Sequence, residues 1–144
     1  MEICKELSNF FEKKRVKVIR IGLQSTDEIM SPEKVGSQVV AGPYHENLRQ
    51  LVTSSYYFDL IESKIKKINT KVKEIEITVN PHIASDVVGY KRENVQKIKE
   101  LYNVDIKIKQ DWSYNLKKIN VKVSKTFKDF ADDEEMMRKK KKIK

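Results

Sequence analysis

The chain has 144 residues, 39% of them hydrophobic and 35% charged, with a formal net charge of +9, which bounds it to one domain or two small ones around a modest core. No run approaches the roughly 20 apolar residues that cross a bilayer, and Met1-Glu2-Ile3-Cys4-Lys5 has no apolar secretion-signal segment, so a cytoplasmic protein without a membrane partner is expected. The single cysteine, Cys4, excludes an internal disulfide and any zinc or iron–sulfur centre built from cysteines of this chain.

In chain order, Ile3, Leu7, Phe10 and Phe11 recur at helical spacing, and residues 2–14 therefore predict the end of an amphipathic helix. The run Val16-Lys17-Val18-Ile19-Arg20-Ile21-Gly22-Leu23 alternates apolar and basic residues, the pattern of a strand with one buried face. Residues 25–43 are loop-like, broken by Ser31-Pro32 and Gly42-Pro43. A stripe of Leu48, Leu51, Val52, Tyr56, Leu60, Ile61 and Ile65 then predicts a long helix over residues 45–67.

After Asn69 the period changes to two. Val72, Glu74, Glu76 and Thr78 fall on one face and Ile75, Ile77 and Val79 on the other, until Asn80-Pro81 stops the strand. A short helix is predicted over 82–88 and a second over 92–102, with Val95, Ile98 and Leu101 inward. Strands follow at Val104, Ile106 and Ile108 and at Ile119, Val121 and Val123, joined as a hairpin by a turn at Asp111-Trp112-Ser113-Tyr114-Asn115. The fold class expected is α+β: a helix-strand-long helix segment over 1–69, a β-α-α-β-β module with a three-stranded sheet over 70–125, and a charged tail over 126–144 that cannot bury enough apolar surface to fold alone.

Charge is uneven along the chain. Residues 70–125 carry 12 basic against 7 acidic side chains, whereas residues 1–69 carry 11 against 9. A basic surface attracts polyanions, mainly through a salt-dependent term indifferent to sequence. The same lysines also serve plain solubility.

Between the two short helices lies Gly89-Tyr90-Lys91-Arg92. A glycine lets a backbone approach a phosphate closely, Lys91 and Arg92 supply charge, and the start of the following helix, with Asn94, offers N–H donors. The order of strand, helix, glycine-led basic loop, helix and strand, carried by Val-Val-Gly-Tyr-Lys-Arg-Glu-Asn-Val-Gln-Lys-Ile, resembles a KH domain over residues 73–123. The resemblance implies that the loop holds an RNA backbone and that Val87, Val88, Val95 and Ile106 floor a groove for bases. The KH loop ordinarily reads Gly-x-x-Gly. Arg92 stands at the second glycine, where it either substitutes a guanidinium–phosphate contact or blocks the approach. Lys107 and Lys109, with Lys117, Lys118 and Lys122, form a second basic set on the hairpin. Trp112 and Tyr114 at its tip read first as a plain turn with partly exposed aromatics, with stacking on unpaired bases as the alternative.

Residues 10–66 carry a second resemblance. Val18-Ile19-Arg20-Ile21-Gly22-Leu23-Gln24-Ser25-Thr26-Asp27-Glu28, Val39-Val40-Ala41-Gly42-Pro43-Tyr44-His45 and Leu48-Arg49-Gln50-Leu51-Val52 are similar to the C-terminal region of radical S-adenosylmethionine proteins related to the catalytic subunit of Elongator. Some members of that group are labelled oxygen-independent coproporphyrinogen oxidase. The resemblance implies a fragment whose parent binds an iron–sulfur cluster and S-adenosylmethionine through a Cys-x-x-x-Cys-x-x-Cys motif that this chain lacks.

By that resemblance Arg20, Gln24 and His45 are candidates for the parent's cavity. Strand-face hydrogen bonds for Arg20 and Gln24, and a helix-opening turn for Gly42-Pro43-Tyr44-His45, are the simpler readings. The expectation is a non-catalytic fragment that binds RNA, with tRNA as the RNA to consider. The alternative is a structural or protein-interaction domain of an oxidoreductase without RNA binding. The missing catalytic barrel is an expected partner, and the strand at 16–23, left without barrel neighbours, is expected to pair with the sheet or with another copy of the chain.

Overall fold

The structure, a computed structural model, describes residues 1–23, 26, 29, 35–39, 44–68, 71–127 and 129. Gln24, the Gly42-Pro43 turn and nearly all of the 126–144 tail lie outside these. The fold is α+β, with a three-stranded mixed sheet. The chain divides into two compact units, Met1–Tyr56 and Tyr57–Lys144.

In the first unit, α1 spans Glu2–Lys13. Its apolar stripe is exposed, with Ile3 72%, Leu7 51% and Phe10 54% accessible. The strand expected over 16–23 does not form. A period of two marks which residues share a face, but a strand exists only where a neighbour takes its N–H and C=O groups. Among the described residues the sheet has three strands, all of them in the second unit. The 16–23 segment is anchored instead by Arg49, whose Nη1 donates to the Ile19 carbonyl at 3.0 Å. Gly22, at φ +80°, passes so close to Leu48 that an added Cβ would lie 2.7 Å from Leu48 Cδ2.

The long helix α2 covers Leu48–Lys66 and runs across the division between the units. Its second half buries Tyr57, Ile61 and Ile65 in the second unit.

The rest of the second unit is β1 (Val72–Val79), α3 (Pro81–Val88), a tight turn at Tyr90–Arg92, α4 (Glu93–Tyr102), β2 (Asp105–Gln110) and β3 (Asn120–Thr126). The β-α-α-β-β order expected from the sequence is present. β1 is central because its apolar face is the driest surface of the unit: Ile75, Ile77 and Val79 are fully buried. Val72 is buried too, although strict alternation puts it with Glu74, because the register of β1 on β3 shifts between Val72 and Ile75. A bulge of this kind turns a side chain to the opposite face.

β2 runs parallel to β1, with Ile75 opposite Ile106 and Ile77 opposite Ile108. A parallel pair requires a crossover, and α3 and α4 provide it. β3 lies antiparallel on the other edge of β1, so β2 and β3 never pair and the expected hairpin is absent. Residues 111–119 bridge two strand spacings, about 10 Å, across the end of β1. This connection exceeds the two to five residues of a tight hairpin.

Asn80 organises that end. Its carboxamide oxygen accepts from His82 N–H at 3.1 Å, capping α3 with Pro81 in the first turn. Its Nδ2 donates to the carbonyls of Trp112 at 3.3 Å and Tyr114 at 2.9 Å. One buried side chain thus starts a helix and fastens the crossing loop. At the opposite end α4 stops at Asn103, which takes φ +53° and donates its N–H to the Lys99 carbonyl. Val104 then turns into the core at 3% exposure.

Candidate nucleic-acid interface

α3 ends because Gly89 takes φ +86° and closes on the Ser85 carbonyl at 3.0 Å. Lys91 and Arg92 follow in left-handed conformations, at φ +50° and +65°. Two consecutive residues with a Cβ in that region cost about 1–2 kcal/mol each. Arg92 N–H donates to the Gly89 carbonyl at 3.0 Å, and no side chain caps the start of α4. The positive φ of Arg92 explains in physical terms why a second glycine suits this position.

Asn94 supports the turn from beneath. It is buried at 4% exposure, and its Nδ2 donates to the carbonyls of Val87 at 3.1 Å and Asp86 at 3.4 Å, at the end of α3. Asn94 is therefore a positioning residue and not a surface contact. Lys91 and Arg92 are exposed, and the Lys91 ammonium stands 5.3 Å from the centroid of the Tyr90 ring. The acid nearest in sequence, Glu93, is engaged by Lys97 one turn on.

Beside this loop runs a groove of about 410 Å³ lined by Ala84, Ser85 and Val88 of α3, Arg92, Val95 of α4, and Ile106, Ile108 and Gln110 of β2. Val88, Val95 and Ile106 are where the sequence reading put them. Val87 is core, 1% exposed, and Leu101, expected inward, is 63% exposed. The buried residue at the start of that helix is Asn94, which an apolar-periodicity reading passes over. Ala84, Ser85, Ile108 and Gln110 were missed; Ile108 was available from the strand period, since it shares a face with Ile106.

The other expected residues are not gathered at the groove. Lys107 and Lys109 alternate with Ile106 and Ile108 along β2 and so lie on the opposite face of the sheet. There Lys107 pairs with Glu74 at 3.0 Å, and the Ser124 hydroxyl together with Lys107 holds the Glu74 carboxyl below the usual carboxylate range. Lys122 stands opposite Glu76 on β3. Arg20 is exposed in the first unit. His45 is exposed, and its Nδ1 accepts the Asn47 N–H at 3.0 Å while its carbonyl accepts Leu48 N–H at 3.1 Å, which makes it part of the turn that opens α2. Gln24 lies outside the described residues.

Among the described residues no group of three His, Cys, Asp or Glu side chains is placed to hold a metal ion, and no helix is long and apolar enough to cross a membrane. Comparison with protein families, with curated proteins and with solved structures finds no match to this chain.

Proposed function

We propose that the second unit binds single-stranded RNA in the groove between α3, α4 and β2, with the Gly89-Tyr90-Lys91-Arg92 turn holding the sugar–phosphate backbone. The observation that carries this reading is the groove itself: an apolar floor wide enough for bases, with Arg92 in its wall and an uncapped helix start beside it. Bases favour such a floor, and phosphates favour the exposed guanidinium and the N–H groups of the first turn of α4. Of the two roles open to Arg92, the guanidinium–phosphate contact is the one supported, because Arg92 both lines the groove and is exposed. A KH-like module is the fold family this reading implies.

With the resemblance of residues 10–66, the chain reads as a non-catalytic part of a larger radical S-adenosylmethionine enzyme, and tRNA is the RNA to test first. The cluster of such a parent needs three thiolates, and Cys4 is the one cysteine here.

Titration of fluorescent single-stranded RNA and of tRNA at low and moderate salt tests the reading. Binding that weakens with salt and falls at least tenfold in the Lys91→Ala/Arg92→Ala double variant is the expected result. No binding at low salt rejects RNA as the partner, and binding indifferent to the double substitution rejects the site.

A further inference from the structure

The groove ends at Gln110, where the chain enters the crossing loop and presents Trp112, the one tryptophan of the sequence, at 72% exposure. Slack in the backbone does not account for that exposure. Asn80 holds the Trp112 and Tyr114 carbonyls, and Asp111 N–H donates to the Val79 carbonyl at 2.9 Å. The Asp111 carboxylate accepts from the N–H of Ser113 at 2.9 Å and from its hydroxyl at 2.6 Å.

The indole meets His82, in the first turn of α3, edge to face with ring centroids 5.4 Å apart. A large aromatic ring thus stands exposed on a backbone hydrogen-bonded at each of residues 111–114. Its neighbours Ser113, Asn115, Lys117 and Lys118 are polar or cationic and exposed, with Leu116 the one other exposed apolar residue. An exposed indole in a loop whose other exposed residues are mostly polar or cationic matches a nucleobase with its phosphate better than the broad apolar face of a protein partner.

We propose that Trp112, backed by His82, is a stacking site for an unpaired base at the end of the groove remote from the Gly89 turn. This proposal rests on the RNA-binding reading above and extends it. The eight residues of α3 separate the two ends by about 12 Å, the length of two to four nucleotides at roughly 3.4 Å or more each. The strand held by Arg92 at one end therefore reaches the indole within a few nucleotides. The site favours longer single strands over short ones and tolerates any base, because every base has a face to stack.

Because Trp112 is the sole tryptophan, its emission reports the event directly. The full chain is titrated with oligo(U) and oligo(A) RNAs of two and eight nucleotides, following both indole emission and the anisotropy of labelled RNA. The expected result is quenching by the eight-nucleotide RNAs, tighter binding of eight nucleotides than of two, and loss of that advantage by about tenfold in Trp112→Ala. Trp112→Phe retains most of it, and both variants keep the circular dichroism of the parent because the ring is exposed. Binding without quenching, or an eight-nucleotide affinity unchanged in Trp112→Ala, overturns the stacking site and leaves the groove intact. No anisotropy change with any RNA overturns both.

Discussion

Asn94 lies directly beneath Gly89: a Cβ added to the glycine would stand 2.8 Å from the Asn94 backbone nitrogen and 2.9 Å from Asn94 Cγ, while Asn94 Nδ2 reaches across to the Val87 carbonyl. The two residues lock the end of α3 to the start of α4. Gly89→Ala therefore adds the cost of an alanine at φ +86° and ψ 159°, a region open essentially to glycine alone, about 1–3 kcal/mol, to a close contact. Asn94→Ala leaves the Val87 carbonyl unsatisfied, for a loss of about 1–3 kcal/mol. Urea denaturation of both variants is expected to show these losses, and a Gly89→Ala protein as stable as its parent would refute the turn geometry.

Arg92 separates folding from binding. Its φ of +65° makes Arg92→Gly favourable for the fold, by about 0.5 kcal/mol after the extra chain entropy of glycine is deducted. If Arg92 holds a phosphate as proposed, the same substitution lowers the salt dependence of RNA binding by about one counterion. A variant that is more stable yet binds more weakly is the expected outcome, read from paired denaturation and titration curves. A less stable Arg92→Gly protein would show that the arginine side chain supports the turn.

Asn80→Ala removes the cap of α3 and both ties to the crossing loop. The expected loss is about 2–3 kcal/mol, one part from the cap and the rest from two carbonyls left without a donor. Since one of those carbonyls belongs to Trp112, the indole emission of the folded variant is expected to become more susceptible to quenching by iodide. An unchanged quenching constant would mean that the loop is held without Asn80.

The carboxylates set the pH profile. Ser124 and Lys107 lower the pKa of Glu74, Tyr102 and Lys66 lower that of Glu62, and the Ser113 hydroxyl and N–H lower that of Asp111. A depressed folded pKa contributes stability that is complete above the unfolded value, about 4, and is lost as pH falls through the folded value. Glu62 conversely raises the pKa of Tyr102 and of Lys66; their contributions are complete below about pH 10 and are lost as pH rises through the folded values. Thermal midpoints are expected to be flat from about pH 5 to 9 and to drop on both sides. A midpoint that climbs as pH falls below 4 contradicts these pairings.

The second unit was legible in sequence wherever a local pattern decides the outcome. The period-two run at Ile75, Ile77 and Val79, the breaker at Asn80-Pro81 and the glycine at 89 are local signals, and strand, helix and turn follow from them. What escaped was set by partners distant in sequence. The alternation at 16–23 carried no information about a neighbour, and none forms; Ile106 and Ile119 mark two strands but not which edges of β1 they take. Asn80 and Asn94 are polar residues whose burial becomes intelligible once the carbonyls they satisfy are known. At the groove, Val88, Val95 and Ile106 were readable from helix and strand phase. The facing of Lys107 and Lys109 follows from the same phase, and composition alone had grouped them with the site.

On the proposed function, RNA lies between α3, α4 and β2 and meets the Gly89 turn. Amide chemical-shift mapping on addition of an eight-nucleotide single-stranded RNA tests it most directly. The largest shifts are expected at Ser85, Val88, Gly89 to Val95, Ile106, Ile108 and Gln110, with Glu74, Lys107 and Lys122 on the far face of the sheet little changed. Shifts concentrated at Glu74, Lys107 and Lys122, with Gly89 to Val95 silent, would contradict it.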